Sequence, residues 1–276
     1  MEQGFVKTND GAYIYYEVEG EGRPIVFVHG WSCSGRFYAR NVEGLKDRFK
    51  VVTLDLRGHG RSSKGTDGYT IDRLAQDVHE VIEALKLEGV FLLGWSMGGP
   101  TVLSYWKQFG QKCGHLAALG LIDMTPYPFH PGDWNSHGLK NFNAEGFNAF
   151  AAGFTYNHEA FVNGFVKKMF VDGTLPEELN WIVPECMKLL PHIGVALYGD
   201  YCYSDYTDVL PTITVPVLVT PCDSGIFPKS VAQGEWIAAQ CPNGKNVPFY
   251  KGGHMLFWVE AEKFNAAVAE FFDSVK

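Results

Sequence analysis

The sequence lacks the features that would direct it to nucleic acid, to a membrane or to a metal ion. It has 276 residues, a net charge of −8 and no block of basic residues, so nucleic acid is not an expected partner. No apolar run approaches the roughly 18 residues that span a bilayer, and the first residues carry charge without the apolar core of a signal peptide. The six cysteines are scattered without C-x-x-C spacing, which favours reduced, buried thiols. We therefore expect a cytoplasmic protein with no membrane contact, no metal and no cofactor.

The chain does contain a regular alternation of strand and helix signals. Almost wholly apolar runs, typical of strands buried on both faces of a parallel sheet, occur at 24–28, 51–54, 90–93, 119–122 and 215–220. An alternating edge strand is predicted at 12–18 and a last strand at 245–250. Helical periodicity marks 38–45, 71–85, 101–109 and 260–275. This pattern predicts an α/β fold: a mostly parallel sheet with helices on both faces.

The alternation stops between residues 127 and 208. This stretch is rich in aromatic residues, and some of them keep helical spacing, such as Phe147, Phe150 and Phe154. We predict that residues 1–126 and 209–276 form the core and that 127–208 form an inserted helical cap, a lid over the site. Its apolar character suggests a hydrophobic substrate, although most single aromatic residues are expected in the lid's own core.

Residues 94–99, Gly-Trp-Ser-Met-Gly-Gly, carry the strongest chemical signal. A G-x-S-x-G between a strand and a helix is the nucleophile elbow, a strained turn that lifts a serine hydroxyl to the edge of the sheet. Its context makes it specific here, since the apolar run 90–93 precedes it and a helical segment follows. Ser96 is the candidate nucleophile.

Two further positions suit the chemistry that a serine nucleophile needs. An oxyanion hole uses the amide after the nucleophile and one from the loop after an early strand, which are those of Met97 and Trp31. A serine also needs an adjacent base, and His254 follows the last predicted strand between glycine flanks. Trp31, Trp95 and the side chain of Met97 are expected to line the substrate pocket. His29 and His59 are expected to be structural.

The acid that orients the histidine has two candidates. Asp123 ends the strand 119–122, and Asp223 follows the strand 215–220. Both lie at carboxyl ends of predicted strands, so topology does not separate them. Whichever of the two aspartates does not orient the histidine is expected to cap a strand end by accepting hydrogen bonds from backbone amides.

These segments resemble the α/β-hydrolase fold superfamily, in the group of small serine esterases, lactonases and cofactor-free haloperoxidases. The resemblance covers nearly the whole chain and rests on five segments: 29–31, 55–62, 94–99, 121–123 and 252–257. It implies a Ser-His-Asp triad. In most relatives the acid lies four residues before a proline. Counted back from Pro228, that position is Ser224 here, one place after Asp223. Some similar enzymes place it after the earlier strand, so we favour Asp123 and keep Asp223 as the alternative.

The resemblance implies a serine hydrolase that cleaves a hydrophobic carboxylic ester or lactone through an acyl-enzyme on Ser96. Haloalkane dehalogenases and epoxide hydrolases of this fold use a carboxylate at the elbow, so the serine at position 96 argues against both activities. The alternatives on the same triad are a perhydrolase or cofactor-free haloperoxidase and a hydrolase of C–C bonds. A ligand receptor that has kept the fold is less favoured, because the Ser-His pair is intact. A homodimer is compatible with the sequence, which does not indicate the oligomeric state.

Overall fold

One eight-stranded sheet organises the molecule. The computed structural model describes residues 1–141, 144–173 and 175–275; Phe142, Asn143 and Thr174, which the cap prediction included, lie outside the described residues. The sheet order is β1-β2-β4-β3-β5-β6-β7-β8, and all pairs from β4 onward are parallel, whereas β2 runs antiparallel to both β1 and β4. The strands are Glu2–Lys7, Tyr13–Glu19, Pro24–Val28, Lys50–Leu54, Val90–Trp95, Leu116–Ile122, Val217–Thr220 and Gly244–Asn246, numbered β1 to β8.

The apolar runs became the central strands. Every residue of β3 and β5 is buried, as a strand covered by helices on both faces requires. The prediction that residues 12–18 form the edge strand is wrong. Most of them belong to β2, and a further strand, β1, pairs outside it and takes the edge position. Only Val6 of β1 is buried, so the strand carries too little apolar alternation to be recognised from sequence. The last strand is also shorter than predicted.

The helices cover the sheet in two groups. Helix α2 (Ile71–Ala84) packs on α3 (Gly98–Tyr105), and α1 (Ala39–Leu45) packs on the C-terminal α11 (Ala261–Ser274). Helix α2 begins as its sequence predicts, since the Thr70 side chain accepts a hydrogen bond from the Arg73 amide and caps the first turn. Helix α9 was not predicted. Among the described residues no helix is long and apolar enough to cross a membrane. The helices α1 to α11 are Ala39–Leu45, Ile71–Ala84, Gly98–Tyr105, Gln111–Cys113, Ala144–Tyr156, His158–Lys168, Ile182–Cys186, Pro191–Tyr203, Ser230–Gln240, Leu256–Val259 and Ala261–Ser274.

The segment between β6 and β7 holds helices α5 to α8, and its described residues contain no strand. It is hydrogen-bonded to the loops at the carboxyl ends of the strands. The Ser32 hydroxyl donates to the Cys186 carbonyl at 2.9 Å, and the His254 amide donates to the Met169 carbonyl at 2.7 Å. The helical segment therefore lies over this edge of the sheet. Its status as a separate cap domain stays a prediction.

Candidate active site

Ser96 lies on a strained turn between β5 and α3. Its φ is +56°, a left-handed conformation that costs a non-glycine residue energy and is held here by its surroundings. Its amide donates to the Ile122 carbonyl at 3.0 Å, which ties the turn to the end of β6. Glycine is required at 98, because a Cβ there would lie 2.3 Å from the Val28 carbonyl oxygen. The tight turn leaves Ser96 partly exposed while its neighbours on both sides are buried.

The loop after β3 lies directly against this serine. A Cβ added to Gly30 would lie 2.9 Å from the Ser96 Cβ and 3.4 Å from its Oγ. The next amide, that of Trp31, donates to no other described residue, and neither does the amide of Met97, the N-cap of α3. Two unpaired donors thus flank Ser96 at the positive end of a helix dipole. Such an arrangement can hold a developing oxyanion.

Two buried histidines hold this loop in place. His29 Nε2 accepts a hydrogen bond from the Leu56 amide, and its Nδ1 donates to the Gly30 carbonyl. His59 Nε2 accepts from the Ser32 amide. Burial lowers the pKa of His29 to about 4 and that of His59 well below its usual range. Both rings are therefore neutral near pH 7, in the tautomer that these bonds need.

His254 and Asp123 form the most direct contact of the site. Nδ1 of His254 lies 2.5 Å from Oδ2 of Asp123, and both side chains are buried. Asp123 directly follows β6 with a φ of +40°. Its Oδ1 accepts from the Ser230 hydroxyl and from the Cys222 amide. The carboxylate thus has three hydrogen-bond partners, and a neutral imidazole that donates from Nδ1 to Oδ2 has Nε2 as its acceptor.

Asp223 lies elsewhere. It is exposed, and its Oδ1 accepts from the Val231 amide at 2.9 Å, in the first turn of α9. The structure therefore brings Asp123, and not Asp223, to His254. The two carboxylates differ in what they face: that of Asp123 contacts the His254 ring, whereas that of Asp223 accepts from the first turn of α9.

A cavity of about 390 Å³ lies next to the loop after β3, within the size range of small-molecule sites. Trp31 lines this cavity. The Trp31 ring contacts Phe154 and Tyr198 at centroid distances of 4.7 and 5.4 Å, and Nε1 of Trp31 donates to the Gly194 carbonyl. The lining is mostly aromatic and aliphatic: Trp31, His137, Gly138, Leu139, Phe150, Ala160, Phe161, Gly164, Phe165, Lys168, Tyr198, Gly225 and Ile226.

Comparison with known proteins identifies the family. A family model described as the alpha/beta hydrolase fold matches residues 23–261. The chain belongs to the α/β-hydrolase fold family. It is 28% identical to a non-heme chloroperoxidase of Kitasatospora aureofaciens (96% of this chain, 98% of that one) and 29% identical to a bifunctional esterase/perhydrolase of Acinetobacter calcoaceticus (98% and 100%). An esterase from Exiguobacterium antarcticum superposes with a TM-score of 0.89 at 27% identity, over 99% of this chain and 100% of that one.

Two expected pocket residues of this hydrolase lie in its core instead. Trp95 is fully buried, with its ring 4.8 Å from that of Phe257 and 5.0 Å from that of His254. It ends β5 before the turn, and its side chain packs against the ring of His254 and is not among the cavity's lining residues. Met97 is also fully buried and is not among the cavity's lining residues. Trp31 is the expected pocket residue that reaches the cavity.

Sequence reasoning missed three polar residues of the site. Ser230 donates to the carboxylate of Asp123 from the start of α9, 107 positions along the chain. His137 and Tyr198 reach the cavity from the helical segment. No motif surrounds any of the three. Chain folding alone brings them to the strand ends, so the sequence offered no local signal.

Proposed function

We propose that this α/β hydrolase cleaves a carboxylic ester or lactone of a hydrophobic substrate through an acyl-enzyme on Ser96. The hydrogen bond between His254 Nδ1 and Asp123 Oδ2 carries the proposal. A buried carboxylate in this position keeps the imidazole in the tautomer whose Nε2 accepts a proton. Together with the elbow serine and the two unpaired amides, it supplies every group that acyl transfer requires.

The proposed reaction has two balanced steps. Ser96 Oγ attacks the carbonyl carbon while Nε2 of His254 takes the hydroxyl proton. The tetrahedral oxyanion accepts hydrogen bonds from the amides of Trp31 and Met97, and its collapse expels the alcohol, which takes the proton from His254. Water then gives a proton to His254 and its oxygen attacks the acyl carbon. Collapse releases the carboxylic acid and returns the proton to Ser96.

The character of the cavity supports a hydrophobic substrate. Aromatic and aliphatic side chains form most of its wall, including Phe150, Phe161 and Phe165. Burying an apolar acyl or alcohol group against them yields about 25 cal/mol per Å² of apolar surface. The volume of about 390 Å³ suits a small substrate and not a polymer.

A labelling experiment combined with a substrate panel tests the proposal. A fluorophosphonate probe should modify Ser96, located by peptide mass spectrometry, and p-nitrophenyl esters of graded chain length and a set of lactones should be hydrolysed. Ser96→Ala should lower kcat/KM by at least about 10³-fold, because it removes the nucleophile. Ser274→Ala, at the end of α11, is the matched control. Undiminished ester hydrolysis by Ser96→Ala would reject the acyl-enzyme.

Perhydrolysis on the same triad is the second candidate. The relatives named non-heme chloroperoxidase and esterase/perhydrolase favour it. In this reaction hydrogen peroxide replaces water in the second step, and the product is a peracid. Peracid formed from acetate and peroxide oxidises added bromide to hypobromite and is itself reduced to acetic acid, and the bromination of monochlorodimedone by hypobromite measures the reaction. No bromination at a rate above that of Ser96→Ala would exclude this candidate.

A further inference from the structure

His137 is a buried polar residue on the wall of an otherwise largely apolar cavity. It is 8% exposed and lies in the loop between β6 and α5. The other polar side chains of the lining are Tyr198 and the exposed Lys168. No step of the proposed acyl transfer uses His137.

The hydrogen bonds of His137 define which nitrogen carries its proton. The Leu139 amide donates to Nδ1 at 3.1 Å, so Nδ1 is an acceptor. Burial, with a smaller contribution from the nearby His254, lowers the pKa of His137 to about 3, so the ring is neutral near pH 7. A neutral imidazole whose Nδ1 accepts must carry its hydrogen on Nε2. Among the described residues none accepts a hydrogen bond from this Nε2–H.

The loop around His137 is held rigidly on both sides. The Ser136 amide donates to Gln233 Oε1 at 2.6 Å, the His137 amide to Asn135 Oδ1 at 3.1 Å, and the Gly138 amide to the Ile226 carbonyl at 3.3 Å. Three consecutive amides are thus tied to three different partners. A donor held in this way is preorganised, so it loses little entropy when it binds a ligand.

His137 also lies near the catalytic groups. Its ring contacts Phe227 edge to face at 4.9 Å, and Phe227 in turn lies 5.4 Å from the ring of His254. Only one aromatic ring therefore separates the two imidazoles. His137 lines the same cavity as Trp31, which follows the Gly30 that lies against Ser96, so a substrate with its carbonyl at Ser96 and its apolar part in this cavity would contact the wall to which His137 belongs.

We propose that His137 is a specificity-determining residue. Its Nε2–H donates to an acceptor oxygen of the substrate other than the scissile carbonyl. The preferred substrates are hydrophobic esters or lactones that carry a second acceptor, a keto, ether or amide oxygen, a few bonds from the reacting carbonyl. This inference rests on the proposed acyl transfer at Ser96. A plain hydrocarbon chain would leave the buried N–H unpaired, which disfavours its binding.

An oxygen scan of the substrate tests the inference. p-Nitrophenyl esters of one chain length are compared, one all-carbon and the others with an ether oxygen moved one position at a time; a second series moves the oxygen through the alcohol side of acetate esters. At one position the wild type should show about tenfold higher kcat/KM than His137→Asn, the worth of one hydrogen bond. On the all-carbon ester His137→Asn should be no slower than the wild type, because the variant has no Nε2–H to leave unpaired against the chain.

Two variants keep the test decisive. His137→Asn retains an acceptor for the Leu139 amide and removes the Nε2–H, whereas His137→Phe keeps a ring of similar shape, so the two disturb folding differently. Tyr198→Phe, which removes the hydroxyl of a different lining residue, is the matched control and should keep the oxygen preference. An oxygen preference that is absent from the wild type, or unchanged in His137→Asn or His137→Phe, overturns the assignment. Failure of acyl transfer itself shows separately, as wild-type hydrolysis of the all-carbon ester no faster than that of Ser96→Ala.

Discussion

The floor and the wall of the site are built by different forces. The floor, which consists of Ser96, Asp123, His254 and the loop 29–32, is held by hydrogen bonds at the ends of β3, β5 and β6. The wall, which consists of the cavity residues from the helical segment, is held mainly by contacts between rings. Phe150 and Tyr198, for example, stack at a centroid distance of 3.8 Å.

This difference has a consequence for what each region can do. Hydrogen bonds fix direction, so the floor can hold reacting groups within the small tolerances of catalysis. Ring contacts are less directional, so the wall can change shape and size while the floor stays as it is. His137 is the exception in the wall, since hydrogen bonds hold it as they hold the floor. We expect substitutions in the floor to change rate and substitutions in the wall to change selectivity.

The largest expected effect is that of Asp123→Asn. The amide cannot accept the Nδ1–H of His254 as a carboxylate does, and the ring is driven toward the tautomer whose Nε2 cannot take a proton. We expect kcat to fall by about 10⁴-fold, measured on the best ester of the panel. Asp223→Asn, which alters an exposed cap of α9, should stay within about twofold of wild type. The reverse result would make Asp223 the acid.

The floor was largely predictable from sequence and the wall was not. The elbow and the strand before it are local patterns, so Ser96 and its position on the fold follow from neighbouring residues. Asp123 could only be favoured, because choosing between two strand ends needs the contacts that each carboxylate makes in the folded chain. Trp95 lay next to the nucleophile in sequence but under the histidine in space. Ser230 and His137 depend wholly on contacts between distant segments, which no local pattern records.

A pair of phenylalanines one turn apart in α5 tests the two roles within the wall region. Phe154 is fully buried and contacts Trp31, so Phe154→Ala should lower the free energy of unfolding by about 3–5 kcal/mol. Phe150 lines the cavity and is only half-buried, so Phe150→Ala should cost less stability and shift the preferred acyl chain to a longer one. Urea unfolding and the chain-length profile measure these outcomes. An unchanged profile for Phe150→Ala would place the acyl chain elsewhere.

The pH dependence of stability compares one histidine from each region. The folded pKa is lowered to about 4 for His29 and to about 3 for His137, whereas both titrate near 6.5 when unfolded. Below pH 6.5 the unfolded chain binds more protons, so stability falls as pH falls toward the folded pKa. Each histidine should contribute a loss of about 2 kcal/mol between pH 7.5 and 5.0.

Urea unfolding of His137→Asn at the two pH values separates the two contributions. The variant should lose the part of the pH dependence that His137 contributes from the wall and keep the part that His29 contributes from the floor. His192→Asn, which removes an exposed histidine, is the control and should leave the dependence as in wild type. An identical pH dependence in wild type and His137→Asn would contradict the lowered pKa of His137. It would also contradict the inference that His137 is a neutral hydrogen-bond donor in the cavity.

The smallest expected effect concerns Ser230, which positions the acid. Its hydroxyl donates to Oδ1 of Asp123, while Oδ2 accepts from His254. Ser230→Ala removes one of the bonds that orient the carboxylate but leaves that from the Cys222 amide, so we expect kcat to fall about threefold to tenfold with KM unchanged. Ser230→Thr restores the hydroxyl and should recover most of kcat. Equal losses in both variants, or a rise in KM alone, would mean that Ser230 only packs the start of α9 and that the floor needs fewer directional contacts than its geometry implies.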